Sequence, residues 1–518
     1  MEDTVDTAYL VLLLLLIVYI PIYLWVRTKP EQAERYHLVK YGPCIMIRTK
    51  LGIRVMERLG KYTRFWRAFG FVSKVITAVL LIMIMYMVIN SLLLIPARLE
   101  SGVSIGIEYA LAIPGFNPML PLSYGVVALV IAMVVHELGH GIQARANKVD
   151  VDASGLLYAV VPLGAFVDPN AEQMEKASRR TRMDIFAAGI TVNTAVAVVA
   201  ILLLSGMGGT ITSDYEDDSA VYRVDAESPA YDAGIPTASI ITAVNGIPVD
   251  SVYYDGQYSI GYDFDPTQRY SLTYQTEAGE FTANDVQMGT YIRSLTSNGP
   301  AYNAGISYGQ FLYSIDGVNV TNTVSFLHVI RATEAGDVVS IGVVDRGSDT
   351  VQYYELTLGT SGSGDYGFLG VTVTTGGITI VTPGYMMDVA MDPFYGATDL
   401  YSHFKGLLGY LSGPFNGMDP VSDEIKWWYD VPTGDIFWIL LSLLYWVFWL
   451  NLLLGISNAL PAYPFDGGHL FSGFISWLLE KTGYGDEEKR QKATDSIMNS
   501  VSTLVLFMFG LVIVAMLI

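Results

Sequence analysis

The most constraining feature of this chain is a pair of histidines, four residues apart, that follows a long apolar run. His136 and His140 flank Glu137 in a His-Glu-Leu-Gly-His sequence, and the preceding residues Gly125–Val135 carry no charge. Residues four apart lie on one face of a helix, so both imidazoles can reach a single tetrahedral metal ion. The pattern predicts a Zn²⁺ site with His136 and His140 as ligands and Glu137 as general base. The alternative is a helix end whose polar residues reach the membrane interface.

Hydropathy indicates an integral membrane protein with a soluble insertion. The chain has 518 residues, of which 52% are apolar, and its mean hydropathy is positive. Six apolar stretches approach the ~20 residues that a helix needs to cross a bilayer. They are Tyr9–Val26, Phe71–Ile95, Tyr124–Gln143, Ile185–Leu204, Ile436–Ile456 and Ile497–Ile518. An acidic leader without a cleavage site favours an uncleaved anchor over a signal peptide at the first stretch.

Basic residues predict the orientation of these helices. The segment 27–70 contains eleven Lys or Arg, and the segment 144–184 contains six. Both segments are expected in the cytoplasm, because short cytoplasmic loops of membrane proteins are rich in positive charge. Alternation across a plasma membrane then puts the segment 205–435 and both termini outside. The outer segment carries most of the net charge of −20, which excludes nucleic acid as a default partner.

The outer segment contains a repeat. Residues Glu227–Ile235, with Pro-Ala-Tyr-Asp-Ala-Gly-Ile at their end, return 71 positions later as Asn298–Ile306, and Asn245-Gly246 returns as Asp316-Gly317 at the same offset. An Asn-Gly or Asp-Gly pair between alternating apolar residues predicts a tight hairpin turn. Equal spacing of a helix start, a glycine break and a turn predicts two copies of one small β-rich module.

Both copies resemble the PDZ domains that are attached to bacterial and archaeal proteases. The first copy is expected over residues 218–287 and the second over 288–375. PDZ domains usually add an extended peptide to a sheet edge, so the resemblance implies peptide capture. Equally, the pair can act by keeping bulky proteins from the membrane site. Further along, Trp427, Trp428 and Tyr429 are expected at the lipid headgroups, or else in aromatic packing within the outer domain.

A catalytic zinc site has three protein ligands, with water in the fourth, open position. The two histidines therefore require a third protein ligand. Asp466 is the best candidate, because Pro461 and Pro464 must break the helix of the fifth apolar stretch just before it. Non-helical backbone at membrane depth is tolerated only where protein or a water-filled cavity covers it. An aspartate there is therefore a metal ligand or a cap at a helix end. The alternating topology brings it to a depth similar to that of His136, which lies about 18 Å into its helix.

These blocks together resemble the site-2 protease family of intramembrane zinc metallopeptidases, peptidase family M50. The match consists of His136–Gly141, of Asn458-x-x-Pro461 followed by Asp466-Gly467, and of two linking segments, Gly164–Asp168 and Phe186–Asn193. The linking segments are similar to those of the archaeal and eukaryotic branch, and tandem PDZ domains between the halves of the core are a habit of the family. The resemblance implies that His136, His140 and Asp466 bind zinc and that Glu137 is the base.

Other roles also rest on this resemblance. It implies that Asn193 orients substrate or stabilises the oxyanion, although a hydrogen bond between helices is the alternative. Asn458 is expected to contact the substrate or one of the residues that bind the metal. His469 is expected to support the site without binding the metal itself. The apolar stretch Gly155–Phe166 is expected to form a re-entrant hairpin that holds the substrate in extended form.

The predicted fold class is a polytopic α-helical membrane protein, with about six transmembrane helices and a re-entrant β-hairpin, plus two β-rich PDZ-like extracytoplasmic domains. The predicted parts are an anchor (1–26), a basic cytoplasmic segment (27–70), a transmembrane helix (71–96), the first part of the catalytic core (120–206), the two PDZ-like domains (218–287 and 288–375), a connector (376–435), the second part of the core (436–480), and a cytoplasmic loop with the last transmembrane helix (481–518).

The predicted function is zinc-dependent hydrolysis of peptide bonds within or near the transmembrane segments of membrane-tethered proteins. Its partners are those substrates, the lipid bilayer and peptides at the PDZ-like domains. The alternative from another class is a catalytically inactive membrane scaffold that recruits outer partners through the PDZ pair. A transporter is disfavoured, because the six stretches show no inverted internal repeat.

Overall fold

The chain folds into two compact units. The computed structural model describes residues 16–96, 114, 115, 117, 120–159, 161–360, 366–412 and 421–517. The helical unit consists of the described residues of Met1–Gly206, Leu408–Asp419 and Trp438–Ile518. The β-rich unit consists of those of Met207–Leu407 and Pro420–Phe437.

Helices account for most of the helical unit and connect the strands of the other. In chain order they are α1 (Leu16–Thr28), α2 (Pro30–Glu34), α3 (Ile53–Gly60), α4 (Thr63–Leu93), α5 (Leu122–Ala146), α6 (Ala171–Lys176), α7 (Arg179–Gly208), α8 (Pro229–Asp232), α9 (Pro300–Asn303), α10 (Thr323–Ile330), α11 (Pro383–Met391), α12 (Leu400–Ser412), α13 (Asp435–Asn458), α14 (Asp466–Lys481) and α15 (Glu487–Leu517). A 3-10 helix covers Asp423–Trp428.

Strands occur in both units. In chain order they are β1 (Leu38–Tyr41), β2 (Cys44–Thr49), β3 (Val151–Ala159), β4 (Val161–Pro169), β5 (Ser219–Val224), β6 (Ile240–Val244), β7 (Ile247–Pro248), β8 (Ser251–Tyr254), β9 (Gln257–Ile260), β10 (Arg269–Thr276), β11 (Gly279–Gln287), β12 (Thr290–Leu295), β13 (Phe311–Ile315), β14 (Val318–Asn319), β15 (Val338–Val344), β16 (Val351–Thr357), β17 (Gly359–Thr360), β18 (Gly367–Phe368), β19 (Val371–Thr375) and β20 (Ile378–Val381).

Five of the six predicted spans coincide with helices long and apolar enough to cross a bilayer: α4, α5, α7, α13 and α15. The first predicted span, Tyr9–Val26, lies partly outside the described residues, and α1 coincides with its second half. Of the five, α13 is the most buried, with Trp446, Trp449 and Leu450 at most 2% exposed. A helix that is apolar all round and surrounded by protein belongs to the core of its unit.

A four-stranded antiparallel sheet accompanies the helices, in the order β1-β2-β3-β4. The pair β3–β4 is the hairpin that the sequence predicted around Gly155–Phe166, and the structure extends it to Val151–Pro169. The other two strands come from the basic segment 27–70, for which no strand was predicted. Among the described strands β4 pairs only with β3, so it is an edge strand of this sheet.

The β-rich unit contains one 14-stranded sheet that runs through both sequence repeats. Each repeat has its own hydrophobic core, the first around Ile241 and Leu272 and the second around Ile292 and Ile341. We call the two repeats module 1 and module 2. The core of module 1 also contains Ile378 and Ile380 of β20, a strand that pairs with β5. Module 2 is therefore inserted into module 1 ahead of its last strand, and β20 begins the segment that the sequence assigned to a connector (376–435).

The two predicted hairpin turns are confirmed. Asn245-Gly246 connects β6 to β7, and Asp316-Gly317 connects β13 to β14. The φ angles at these four residues are 51°, 74°, 48° and 77°, the left-handed values that a two-residue hairpin turn of this type requires. Both turns are also held in the same way. The side-chain oxygen of Asn245 accepts a hydrogen bond from the backbone N–H of Ser271 in β10, and that of Asp316 accepts one from Ser340 in β15.

The modules differ where the repeat would lead one to expect equivalence. Module 2 has the helix α10, capped at its start by Asn322, whereas the corresponding residues of module 1 form the hairpin β8–β9 around Asp255-Gly256. That hairpin packs on α10 of module 2: the ring of Tyr254 stacks on His328 with centroids 3.7 Å apart, and Asp255 forms an ion pair with Arg331. The modules are thus joined through both the shared sheet and this contact.

The aromatic residues before α13 are packed within the β-rich unit. Trp428 is 1% exposed and donates from its indole N–H to the carbonyl oxygen of Ala238, at 3.0 Å. The Tyr429 hydroxyl donates to the carbonyl oxygen of Pro383, at 2.9 Å. Of the two predicted settings, these two rings have packing within the outer domain, because their polar atoms bond to protein and both rings are buried.

Candidate metal centre

Three of the predicted site residues meet at one point in the helical unit. His136 and His140 lie on successive turns of α5, and Asp466 is the first residue of α14. The two Nε2 atoms are 3.1 Å apart, and each is 3.1 Å from Oδ2 of Asp466. The chain thus brings together two residues from one helix and a third from more than 300 positions later.

The rear nitrogen of each imidazole contacts an oxygen atom. Nδ1 of His136 is 3.1 Å from Oδ1 of Asn193, and Nδ1 of His140 is 2.8 Å from the carbonyl oxygen of Ile185. A carbonyl oxygen only accepts hydrogen bonds, so the tautomer that satisfies these contacts carries its proton on Nδ1. Each Nε2 then presents a lone pair towards Asp466.

The donor set fits a metal cation. With both imidazoles neutral, three lone pairs converge, and Oδ2 of Asp466 is buried without a hydrogen-bond donor. Such an arrangement is repulsive unless a positive charge lies among the three atoms. Atoms that share a tetrahedral zinc at about 2.0–2.2 Å lie about 3.3–3.6 Å from one another, close to the separations here. Within the described part of the chain, these residues form the one group suited to a metal.

Glu137 lies between the two histidines in sequence, and its carboxylate contacts the hairpin β3–β4. Its Oε2 accepts a hydrogen bond from the backbone N–H of Val167, at 2.7 Å. Val167 belongs to β4, whose open edge therefore faces this carboxylate. The contact holds a potential base beside a strand edge, and the sequence contained no signal for this particular partner.

Asn193, predicted to contact substrate or else to form a hydrogen bond between helices, is buried beside His136. Its Oδ1 faces His136, while its Nδ2 donates to the carbonyl oxygen of Ala132 at 3.1 Å and to Oδ1 of Asn451 at 3.3 Å. The residue is 0% exposed, and its predicted contact with substrate stays a prediction. The predicted alternative, a hydrogen bond between helices, is what the structure has, with the addition that the bond orients a candidate ligand.

Asn451 was missed by the sequence analysis. It lies in the middle of α13, is 0% exposed, and donates to the carbonyl oxygen of Val447 at 2.8 Å while it accepts from Asn193. An asparagine within a helix as apolar as α13 is an available signal, since polar residues at that depth usually serve a partner.

Close packing of α5 against α7 depends on Gly189. A Cβ atom at this position would lie 2.4 Å from Nε2 of His140 and 2.9 Å from Cε1 of His136. Since no real Cβ makes such contacts, any other residue would displace the imidazoles. The glycine in the Phe-Ala-Ala-Gly-Ile-Thr-Val-Asn block thus makes room for the site, and the asparagine four residues later orients it.

Two other predicted residues lie apart from the three converging atoms. The side chain of Asn458 donates to the carbonyl oxygen of Leu454, at 3.0 Å, within its own helix, and its predicted role stays a prediction. The ring of His469 stacks on Phe186 with centroids 4.1 Å apart and planes 5° from parallel. His469 is not in the candidate metal group, in keeping with the supporting role predicted for it.

Comparison with known proteins gives a family match that covers this site. The sequence model of peptidase family M50 matches residues 124–508, which include α5, α7 and the turn that leads to Asp466. The chain is also similar to an uncharacterized protein of Methanocaldococcus jannaschii, MJ0971, with 29% identity over 250 residues. That match covers 48% of this chain and 62% of the relative.

Proposed function

The chain belongs to peptidase family M50, and we propose that it is a zinc-dependent endopeptidase of the site-2 protease type. Its substrates on this proposal are membrane-tethered proteins, cut within or near their transmembrane segments. The observation that carries the proposal is the convergence of His136, His140 and Asp466 on one point of a helical unit. The chain is an integral membrane protein, with five apolar helices of membrane-spanning length among its described residues.

His136, His140 and Asp466 would hold the zinc. When bound there, zinc supplies a Lewis acid that lowers the pKa of water and polarises a carbonyl group. Glu137 is placed to act as general base, taking a proton on its carboxylate and passing it to the leaving nitrogen of the peptide. The backbone N–H of Val167 keeps that carboxylate from turning away, because the bond fixes one of its two oxygens.

The open edge of β4 is the proposed position of the substrate. Peptide bonds inside a helix are shielded by their own hydrogen bonds, so a substrate segment must become extended before it is attacked. An extended peptide can add to the open edge of a strand through main-chain hydrogen bonds. Since Val167 on this edge bonds to Glu137, a peptide bound along β4 would pass close to the base.

The two modules, which we propose to be PDZ domains, are proposed to limit access to the membrane site by their bulk. Support comes from the contact in which the hairpin β8–β9 of module 1 covers α10 of module 2. In PDZ domains a peptide lies between a strand and a helix, and this helix already has a partner. Peptide capture, the alternative, requires that the hairpin leave α10 or that another edge bind the peptide.

The proposed setting is the plasma membrane, with the β-rich unit and both termini outside the cytoplasm. This orientation rests on the basic residues of segments 27–70 and 144–184. Both segments connect predicted spans on the same side of the membrane, and their positive charge favours the cytoplasmic side. On this topology the site opens towards the cytoplasmic half of the bilayer.

The decisive experiment compares full-length wild-type protein with Glu137→Gln in a membrane preparation. We expect Glu137→Gln to retain zinc and to lose cleavage of a transmembrane reporter by about 10²- to 10⁴-fold, because the amide cannot accept the proton. Metal content and reporter cleavage are the two measurements. The exposed change Glu175→Gln is the matched control and should alter neither. Full activity of Glu137→Gln would exclude Glu137 as the base, and a wild-type protein without zinc or cleavage would favour the inactive scaffold.

A further inference from the structure

A second binding site is indicated at a basic cavity of the helical unit, whose lining shares no residue with the candidate metal centre. A cavity of about 450 Å³ lies between α4 at Lys74, the start of α7, and α14. Its lining consists of Lys74, Ser178, Arg179, Arg180, Met183, Gly473, Phe474 and Trp477. The volume falls within the ~300–1,000 Å³ of pockets that hold small ligands.

The charge of this cavity favours an anion. Every ionisable residue in its lining is basic, and Lys481 adds a fourth cation over the ring of Trp477, at 5.2 Å. Two acids oppose them from outside the lining: Asp184 pairs with Lys74, and Glu480 pairs with Arg179 at 2.6 Å. Four positive charges minus two negative ones leave an excess of two.

Arg180 supplies the charge that is still available to a ligand. Its side chain is exposed, and no acidic group among the described residues forms an ion pair with it. Lys74 and Arg179 can share their charge with a second anion, as arginine and lysine do at phosphate sites. The cavity therefore offers a free guanidinium beside two partly neutralised cations.

Exposed apolar residues beside the cavity favour a lipid over a soluble anion as its ligand. On α4, Phe71, Val75 and Val79 are 61%, 51% and 59% exposed and lie on one helix face next to Lys74. On α14, Phe474 and Trp477 are 45% and 40% exposed. A molecule with a negatively charged head and apolar tails matches both surfaces, whereas free phosphate matches only the charges.

We propose that this cavity binds the phosphate headgroup of an anionic phospholipid, whose tails lie along the exposed faces of α4 and α14. Lys74 lies three residues into the apolar part of α4, which is the level at which a headgroup meets a spanning helix. Basic pockets between transmembrane helices are suited to such headgroups. The cavity shares no residue with the candidate metal centre, and bound lipid would hold α4, α7 and α14 together.

The test measures lipid binding to the purified full-length protein by native mass spectrometry, and its thermal midpoint, with phosphatidylglycerol, phosphatidylcholine or inorganic phosphate added. We expect phosphatidylglycerol to bind and to raise the midpoint, and the other two to do neither. Arg180→Gln should weaken phosphatidylglycerol binding about fivefold, since one basic residue near an anionic lipid contributes about that much. Zinc content should not change.

Arg182→Gln is the matched control, because Arg182 is exposed on the same helix but does not line this cavity. It should bind phosphatidylglycerol like the wild type. Equal losses in Arg180→Gln and Arg182→Gln would overturn the proposal in favour of diffuse surface charge. Equal binding of phosphatidylcholine would overturn the assignment of an anionic headgroup. If inorganic phosphate alone raised the thermal midpoint as much as phosphatidylglycerol, the assignment of a lipid would be overturned. Substitution of Lys74 is avoided, because it would leave Asp184 buried without its partner.

Discussion

The helical unit and the β-rich unit both bury polar side chains, but they do so for different ends. In the helical unit Asn451, Asn193 and His136 form a chain of contacts that leads to three atoms without a donor among them. In the β-rich unit buried polar groups tie the two modules together. Asp225 of module 1, for example, accepts a bond from Thr374 of module 2 at 3.1 Å and pairs with Arg293, also at 3.1 Å.

The first network thus serves the candidate metal site, and the second serves the stability of the β-rich unit. A cluster of acceptor atoms with no donor among them is suited to a cation, whereas donors and acceptors that pair with one another stabilise a fold. We therefore expect substitutions in the first network to change metal binding and substitutions in the second to change only the stability of the β-rich unit. The predictions that follow test this separation, from the largest expected effect to the smallest.

Asp466→Asn should have the largest effect, with loss of bound zinc and of all proteolysis. Asparagine keeps the shape of the side chain but removes the negative charge that faces both Nε2 atoms. Metal analysis of the purified protein and cleavage of a transmembrane reporter are the measurements. Asp435→Asn, at an exposed position, is the control. Unchanged zinc content in Asp466→Asn would remove this residue as a ligand.

Asn193→Ala should weaken zinc binding by about 10- to 100-fold, because the imidazole of His136 loses the acceptor that orients it. The zinc dissociation constant is the measurement, with Asn458→Ala as a control that leaves the histidines untouched. If Asn193→Ala instead kept wild-type zinc affinity and lost only turnover, the result would favour the predicted substrate role of Asn193 over its role in orienting His136.

Asp225→Ala should lower the free energy of unfolding of the β-rich unit by about 1–3 kcal/mol, because partners of a buried carboxylate are left without it. Hydrogen exchange of β12 and β19 in the whole protein should become faster, while zinc content stays the same. The exposed change Asp349→Ala should alter neither. A loss of zinc in Asp225→Ala would contradict the separation of the two units.

The smallest effect is expected at Asp218, at the start of module 1. Burial, with the nearby charges of Asp250 and Asp217, raises the pKa of its carboxyl group above the ordinary 3.8. A raised pKa means that folding favours the neutral acid, so the stability of the module should fall as pH rises above 3.8 through the raised value. Asp218→Asn should remove that slope, as measured by hydrogen exchange of β5 from pH 4 to 7. Asp214→Asn, an exposed change, should keep it.

Local signals predicted a large part of what the structure contains. The spacing of His136 and His140, the five apolar spans and the two hairpin turns each depend on a few neighbouring residues. The hairpin β8–β9 had such a signal as well, in Asp255-Gly256, but the repeat favoured equivalence with module 2. A turn signal at one copy of a repeat therefore carries more information than the expectation that both copies fold alike.

The sequence by itself determined which residues could share a metal and where helices and turns would form, because periodicity and turn chemistry act over a few residues. Only the tertiary structure decided that Asn193 serves His136, that β1 and β2 extend the hairpin sheet, and that β20 returns to module 1 after module 2 is complete. Each of these depends on a pairing between residues more than fifty positions apart, which for β1 and β2 is the pairing of β2 with β3. Several partners of similar polarity or pattern are available at such distances, and packing selects among them.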